Sequence, residues 1–219
     1  MLPELFAHPF SFYSAKALIA FYDKGAPFKL RLLSGEDPSA GEEMARLWPM
    51  LRFPILKVGE RTLVETSIII EWLDQQPAGA GSLIPADADA ALDVRMRDRI
   101  FDNYVMSPMA TITFDATRPA GQHDDFGVAQ ARALLERAYA WLDSEMAERR
   151  WASGSTFSLA DCAAAPALLY ADWVHPIDPS RTHLLAYRSR LLARPSVARV
   201  VEEARPFRSN FPLPVPDRD

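Results

Sequence analysis

The stretch that decides the fold is LRFPIL at residues 51–56, followed after a short hairpin by ETSIIIEWL at residues 65–73. Pro54 offers no N–H to a strand ladder, so it fits at the first residue of a strand, where a cis bond would turn backbone polar groups outward. Glu65 and Thr66 stand where a strand leads into a helix, whose free N–H groups attract anions. The two segments predict a site for a peptide-like ligand that carries a carboxylate.

The first third of the chain alternates between strand and helix patterns. The helix nearest the N-terminus ends at Lys24 and Gly25, a cation in the last turn followed by a glycine cap. The predicted strands lie at residues 5–7, 28–32, 55–58 and 62–64, and the predicted helices at residues 14–23, 37–48 and 67–74. The order βαβ and then ββα predicts an α+β unit built on a four-stranded mixed sheet.

The rest of the chain is predicted to be all-α. Residues 75–82 have linker composition, and we divide the chain into residues 1–76, a linker at 77–87, and a helical domain at 88–219. Ser158 and Asp161 form a capping box ahead of an apolar helix. The predicted helices lie at residues 88–105, 127–149, 162–174, 183–192 and 196–204, before a proline-rich tail at 206–219.

Composition excludes several classes of protein. The 219 residues carry a net charge of −5 with scattered basic residues, which argues against nucleic acid or an anionic membrane surface as the main partner. No secretory signal and no apolar run of about 20 residues is visible. Cys162 has no partner for a disulfide within the chain, and we therefore expect a cytoplasmic protein. The four histidines show no metal-binding spacing, so we expect no metal.

In this arrangement of motifs the chain resembles the glutathione transferase family, as a bacterial-type cytosolic member, over nearly its whole length. The motifs that carry the resemblance are SFYSAKALIA at residues 11–20 with KG at 24–25, WP at 48–49 with RFPIL at 52–56, ETSIIIEWL at 65–73, LIPAD at 83–87 and FSLAD at 157–161. The resemblance implies a thioredoxin-like N-terminal domain that binds glutathione and an all-helical C-terminal domain.

The same resemblance implies a glutathione site. The backbone of Phe53 would pair with the cysteinyl part of glutathione, and Pro54 would be the family's cis-proline. Glu65 would meet the γ-glutamyl ammonium group, and Thr66, where the family more often has Ser, would hold the α-carboxylate. In the alternative interpretation, Glu65 is only a helix-start acid and Thr66 an N-cap worth about 1 kcal/mol.

Ser11 occupies the place of the family's catalytic Ser or Cys. A free thiol titrates near pH ~8.5, and lowering its pKa by about two units takes about 2.7 kcal/mol. One hydroxyl donor to a thiolate supplies about 1.5–3 kcal/mol, and a nearby helix N-terminus about 0.3–1 kcal/mol more. Tyr13 and Ser14 lie in the same loop and are alternative donors, and a site without a hydroxyl donor is a further alternative. Phe12 replaces the small residue that members of the family often have.

The resemblance implies a transferase that joins the glutathione thiolate to a small apolar electrophile, a detoxification activity. We predict an electrophile pocket walled by Phe10, Phe12 and Tyr104, with Trp173 as a further candidate. The alternative is a glutathione-binding or redox module with little conjugating activity. A glutathionyl-reductase is disfavoured by Ser11 in place of Cys, and a maleylacetoacetate isomerase by Ser-Phe-Tyr in place of Ser-Ser-Cys.

The resemblance also implies a homodimer, a two-fold assembly in which the first domain of one chain would meet the helical domain of the other. Leu92, Met96, Ile100, Tyr104 and Val105 are predicted to share one face of the helix at residues 88–105. That helix also carries Arg95, Arg97 and Arg99, as a partly polar interface would. A solvated charged face is the alternative interpretation.

Overall fold

A computed structural model describes residues 2–35, 38–77, 81–217 and 219. Asp37, at the predicted start of the second helix, and residues 78–80 of the predicted linker lie outside the described residues. The four strands are β1 (Glu4–Ala7), β2 (Lys29–Leu32), β3 (Ile55–Val58) and β4 (Arg61–Leu63). The helices of the same sheet domain are α1 (Phe12–Lys24), α2 (Pro38–Leu47) and α3 (Thr66–Asp74).

The sheet has the strand order β2-β1-β3-β4. β1 pairs in parallel with β2, as a βαβ crossover requires, and antiparallel with β3, which forms the hairpin with β4. Gly59 has a φ of 61° in the hairpin turn, and Gly25 has a φ of 60° at the end of α1. The predicted mixed four-stranded sheet is confirmed.

Side-chain alternation along the strands divides the core of the sheet domain. Leu5 and Leu56 point to the side covered by α1 and α3, whereas Phe6 and Ile55 point to the side of α2, against Ala40 and Met44. All of these side chains are buried. The sheet is therefore covered on both sides.

The helical domain contains α4 (Ala88–Ile100), a π-helical turn (Phe101–Met106), α5 (Ser107–Asp115), α6 (Asp125–Met146), α7 (Leu159–Val174), α8 (Thr182–Leu192) and α9 (Pro195–Ala204), followed by a 3₁₀ turn (Arg205–Asn210). Every residue of α7 is buried, which makes it the central helix. The α+β unit joined to an all-α domain confirms the predicted fold. No helix in the described part of the chain is long and apolar enough to cross a membrane.

The first helix of this domain differs from its prediction in extent and in its buried face. The helix predicted at residues 88–105 ends at Ile100 and continues as the π-helical turn into α5, which the sequence pattern did not indicate. Val94, Phe101 and Val105 are buried, whereas Leu92 is 65% exposed and Tyr104 50% exposed. The segment has apolar residues on more than one face, so periodicity alone could not identify the face that packs.

Candidate functional site

A cleft of about 580 Å³ lies where the sheet domain faces α5. Its lining residues come from three segments of the sheet domain, two of which continue into α1 and α3, and from one residue of α5: Phe10, Ser11, Phe12, Tyr13, Trp48, Leu51, Arg52, Phe53, Pro54, Val64, Glu65, Thr66 and Phe114. The structure thus brings together Ser11, Phe53, Pro54, Glu65 and Thr66, which are far apart in the sequence. Their roles toward a ligand stay predictions.

One side of the cleft is the loop that enters β3. The peptide bond between Phe53 and Pro54 is cis, and Pro54 directly precedes the first residue of β3. Trp48, Leu51 and Arg52 of the same loop also line the cleft. An extended peptide lying along this loop would meet backbone at Phe53.

The start of α3 also lines the cleft, through Glu65 and Thr66. Glu65 is the N-cap residue with a φ of 70° and a ψ of 117°, and no side chain caps the helix. A non-glycine residue in such a conformation costs about 1–3 kcal/mol and marks functional sites more often than others. Thr66 is already the first helical residue, so the interpretation of Thr66 as an N-cap is wrong. Threonine is a common cap, which is why the sequence allowed that assignment.

The start of α1 is organised differently. Ser11 is its N-cap residue, and Ser11 Oγ accepts a hydrogen bond from the backbone N–H of Ser14 at 3.4 Å. Because Ser11, rather than a later residue, caps the helix, α1 begins at Phe12, before the predicted residue 14. A hydroxyl that accepts still has its own hydrogen to donate. Ser11 can therefore cap α1 and donate into the cleft at once.

The two alternative hydroxyls occupy different places. Ser14 is fully buried, and its Oγ accepts a hydrogen bond from the backbone N–H of His8 at 3.3 Å. Tyr13 lines the cleft, and its phenol pKa is raised by burial and then by the negative charge of Asp102, while Ser107 opposes the shift. Tyr13 therefore stays protonated at neutral pH and can donate. Of the three candidate donors, Ser11 and Tyr13 are lining residues of the cleft and Ser14 is not.

Aromatic rings form the outer wall of the cleft. The ring centroid of Phe12 lies 6.3 Å from that of Phe114 and 5.8 Å from that of Tyr170. Trp173 packs behind Phe10, with a centroid distance of 6.4 Å, and is 8% exposed. Phe10 and Phe12 line the cleft, whereas Tyr104 and Trp173 are not among the lining residues, and the electrophile pocket stays a prediction.

Phe114 is the lining residue from the helical domain, and sequence reasoning did not name it, nor Trp48, Leu51, Arg52 and Val64 of the sheet domain, as site residues. Phe114 lies in α5 and is 56% exposed. No motif marks it, because α5 was not predicted and its position over the cleft depends on how α5 packs. Among the described residues, no group of three or more histidine, cysteine and acidic side chains is placed to hold a metal ion.

Comparison with known protein families agrees with this geometry. A family model described as "Glutathione S-transferase, N-terminal domain" matches residues 5–81, and one described as "Glutathione S-transferase, C-terminal domain" matches residues 125–190. A glutathione S-transferase from Hyoscyamus muticus is 25% identical over 167 residues, which is 74% of this chain and 79% of that protein. A maleylpyruvate isomerase from Ralstonia sp is 36% identical over 84 residues, which is 37% of this chain and 39% of that protein.

Solved structures share the fold along nearly the whole chain. A glutathione S-transferase from Methylobacterium radiotolerans, in complex with glutathione sulfonate, is 26% identical with a TM-score of 0.78, covering 92% of this chain and 95% of that chain. Another, from Methylobacillus flagellatus with glutathione bound, is 24% identical with a TM-score of 0.81, covering 90% and 98%. Both domains match one family in the order in which that family carries them, and the chain belongs to the glutathione transferase family.

Proposed function

We propose that the protein is a glutathione transferase that joins the glutathione thiolate to a small apolar electrophile. The observation that carries the proposal is one cleft lined by Ser11, by the Phe53–Pro54 loop and by Glu65 with Thr66. The solved relative that is 26% identical holds glutathione sulfonate, a derivative of the same tripeptide.

Glutathione would be held from both sides of the cleft. The uncapped start of α3 offers backbone N–H groups, and Thr66 adds its hydroxyl, for the γ-glutamyl α-carboxylate. Glu65 is exposed at the same point and would attract the neighbouring ammonium group. The backbone at Phe53 would pair with the cysteinyl residue in the manner of a strand, which places the thiol toward Ser11.

Ser11 would activate the thiol by donating a hydrogen bond to the thiolate. The thiol proton leaves to solvent, and the sulfur lone pair attacks the electrophilic carbon while the leaving group departs with its bonding electrons. A donor to a charged acceptor contributes about 1.5–3 kcal/mol, which lowers the thiol pKa by about 1–2 units. Phe10, Phe12 and Phe114 would bind the apolar part of the electrophile.

The test combines a binding and a turnover measurement. Calorimetry with glutathione should show binding, and an aryl halide added to the complex should give conjugate at a rate above that of glutathione alone. Binding without turnover would favour the alternative, a glutathione-binding or redox module. If glutathione does not bind at all, both proposals fail.

A second candidate function comes from the relative named maleylpyruvate isomerase. Arg52 supplies a positive charge to the cleft lining, which would suit an anionic substrate. An assay with maleylpyruvate and glutathione distinguishes the isomerase from the transferase. An isomerase would convert maleylpyruvate while the concentration of free glutathione thiol stays constant.

We further propose a cytoplasmic homodimer. Large apolar side chains are exposed in the loop before β3, in α3, in α4 and in the π-helical turn, and exposed apolar surface is typical of protein interfaces. They are Met50, Leu51, Phe53, Ile68, Leu92, Met96 and Tyr104. The arginines expected at this interface instead pair within the chain: Arg95 with Glu71, Arg97 with Asp93 and Glu145, and Arg99 with Asp98. Sedimentation of a stable 24.5 kDa particle at micromolar concentration would contradict the dimer.

A further inference from the structure

A fully buried lysine lies behind the candidate glutathione site. Lys16, in α1, is 0% exposed, and its Nζ lies 2.6 Å from Asp98 Oδ1 and 2.7 Å from Asp102 Oδ2. The same Nζ donates a hydrogen bond to Ser67 Oγ at 3.0 Å. Ser67 Oγ in turn donates to Asp98 Oδ2 at 2.7 Å. Lys16 thus joins α1, α3 and the end of α4 at one point.

The charges of this group balance. Arg99 donates to Asp98 Oδ2 at 2.7 Å and to Asp102 Oδ2 at 2.5 Å, and also to Ser67 Oγ. Two cations therefore face two carboxylates, and we call Lys16, Ser67, Asp98, Arg99 and Asp102 the Lys16 cluster. The π-helical turn carries Asp102, while Asp98 lies in the last turn of α4.

Stability alone does not account for the Lys16 cluster. α1 and α3 already pack through apolar side chains, among them Leu18, Ile69 and Ile70, each almost fully buried. A buried ion pair can often be replaced by apolar residues without loss of stability, because desolvation offsets the attraction. The hydrogen bonds of the cluster are directional, whereas apolar contacts are not. Each hydrogen bond therefore fixes the relative position of the two groups that it joins.

The cluster fixes two segments that meet the ligand. Lys16 lies in α1, whose first turn carries Ser11 as its cap, and Ser67 directly follows Thr66 at the start of α3. None of the cluster's side chains lines the cleft. We propose that Lys16 is a positioning residue that sets the distance between the thiol end and the carboxylate end of the glutathione site. This inference rests on the proposed function.

The test uses a matched pair of buried lysines in one helix. Lys24 is also in α1, is 4% exposed, and donates to Asp74 Oδ1 at 3.0 Å and to the Gly81 carbonyl at 2.7 Å, away from the cleft. Lys16→Met should weaken glutathione binding about tenfold or more and raise the pKa of the bound thiol, because a misplacement of about 1 Å is costly at a reacting centre. Lys24→Met should lower stability but leave affinity within about twofold.

A milder variant covers the case in which Lys16→Met does not fold. Ser67→Ala removes the link to α3 and leaves both buried carboxylates paired with Lys16 and Arg99, so it should fold and weaken glutathione binding by about threefold or more. Calorimetry and ultraviolet titration of the bound thiolate are read beside denaturant unfolding. If the folded variants bind glutathione as the wild type does, the inference is overturned while the proposed function stands. A wild-type protein that does not bind glutathione would instead remove the proposed function.

Discussion

The starts of α3 and α7 are two helix N-termini that differ in whether a side chain caps them. At α7, the side chain of Ser158 accepts from the backbone of Asp161, and the carboxylate of Asp161 accepts from the Ser158 N–H at 2.9 Å. At α3, Glu65 stands at the cap position with a φ of 70° and caps nothing. A helix start whose N–H groups are satisfied from within stabilises the fold, whereas one left open at a cleft is available to an anion.

The two helix starts also differ in their exposure to solvent. Asp161 is fully buried, and burial raises the pKa of its carboxyl while the Ala152 N–H, Tyr187 and Ser158 oppose the shift. Ala152 N–H donates to it at 2.8 Å and the Tyr187 hydroxyl at 2.6 Å. Glu65, by contrast, is exposed at the cleft. The closed start lies in the core of the helical domain, and the open start lies where a ligand can reach it.

The largest effect is expected at the closed start. Asp161→Ala should lower the free energy of unfolding by about 3 kcal/mol or more, because several buried donors lose their acceptor at about 1–3 kcal/mol each. Denaturant unfolding measures this change. Protein that remains folded should bind glutathione with wild-type affinity. A large loss of affinity in folded Asp161→Ala would mean that the two helix starts are not independent.

At the open start we expect the reverse. Thr66→Ala should weaken glutathione binding about 10- to 150-fold, since it removes a charge-assisted hydrogen bond of about 1.5–3 kcal/mol. Stability should change little, because Thr66 caps nothing in the structure. Thr66→Ser keeps the hydroxyl and serves as the control, with affinity near that of the wild type. Normal glutathione binding by Thr66→Ala, measured by calorimetry, would contradict the site.

The start of α1 lies between these extremes, because Ser11 both caps its helix and faces the cleft. Ser11→Ala should raise the pKa of bound glutathione by about 1–2 units and lower turnover at neutral pH about tenfold or more, with binding retained. It should also cost about 1 kcal/mol of stability through the lost cap. Tyr13→Phe is the control for the neighbouring hydroxyl. If Tyr13→Phe rather than Ser11→Ala shifts the thiol pKa, the activating group is Tyr13.

The two helix starts also show which features of the structure could be predicted from the sequence. The capping box at Ser158 and Asp161 was predicted and is present, because its residue types and spacing are local. The cis-proline loop and Glu65 with Thr66 were placed by motif, and they share one cleft. The backbone conformation of Glu65 was not predictable, since a positive φ at a glutamate is imposed by the surrounding fold.

The contacts between the sheet domain and the helical domain could not be predicted from the sequence. Phe114 reaches the cleft from α5, and Tyr104 does not line it, although both are exposed aromatic residues of the helical domain. Tyr104 lies in the π-helical turn, whose periodicity differs from that of an α-helix, and Phe114 follows it in α5. The partners of Lys16 likewise depend on how α4 crosses α1 and α3. Periodicity within one segment carries none of this information.

The smallest predicted effect is a change in stability at Asp74, at the C-terminal end of α3. Asp74 accepts hydrogen bonds from Leu83 N–H at 2.8 Å and Ser82 Oγ at 2.6 Å and pairs with Lys24 at 3.0 Å. Burial alone would raise the pKa of the Asp74 carboxyl, but these donors outweigh it and hold the pKa below its usual range. A depressed pKa means that the stabilisation is present above the unfolded value of about 3.9 and is lost as pH falls through the folded value.

Asp74→Asn should therefore cost about 1 kcal/mol of unfolding free energy at neutral pH, where the charged acceptor is replaced by a neutral one. As the pH falls below the unfolded value of about 3.9 and then through the lower folded value, the wild type loses this stabilisation, so the two unfolding curves should converge. Glutathione affinity should not change, because Thr66 and Asp74 lie at opposite ends of α3. Denaturant unfolding at a series of pH values measures the convergence. A difference that stays constant down to acid pH would show that the carboxylate charge at this end of α3 does not contribute to stability.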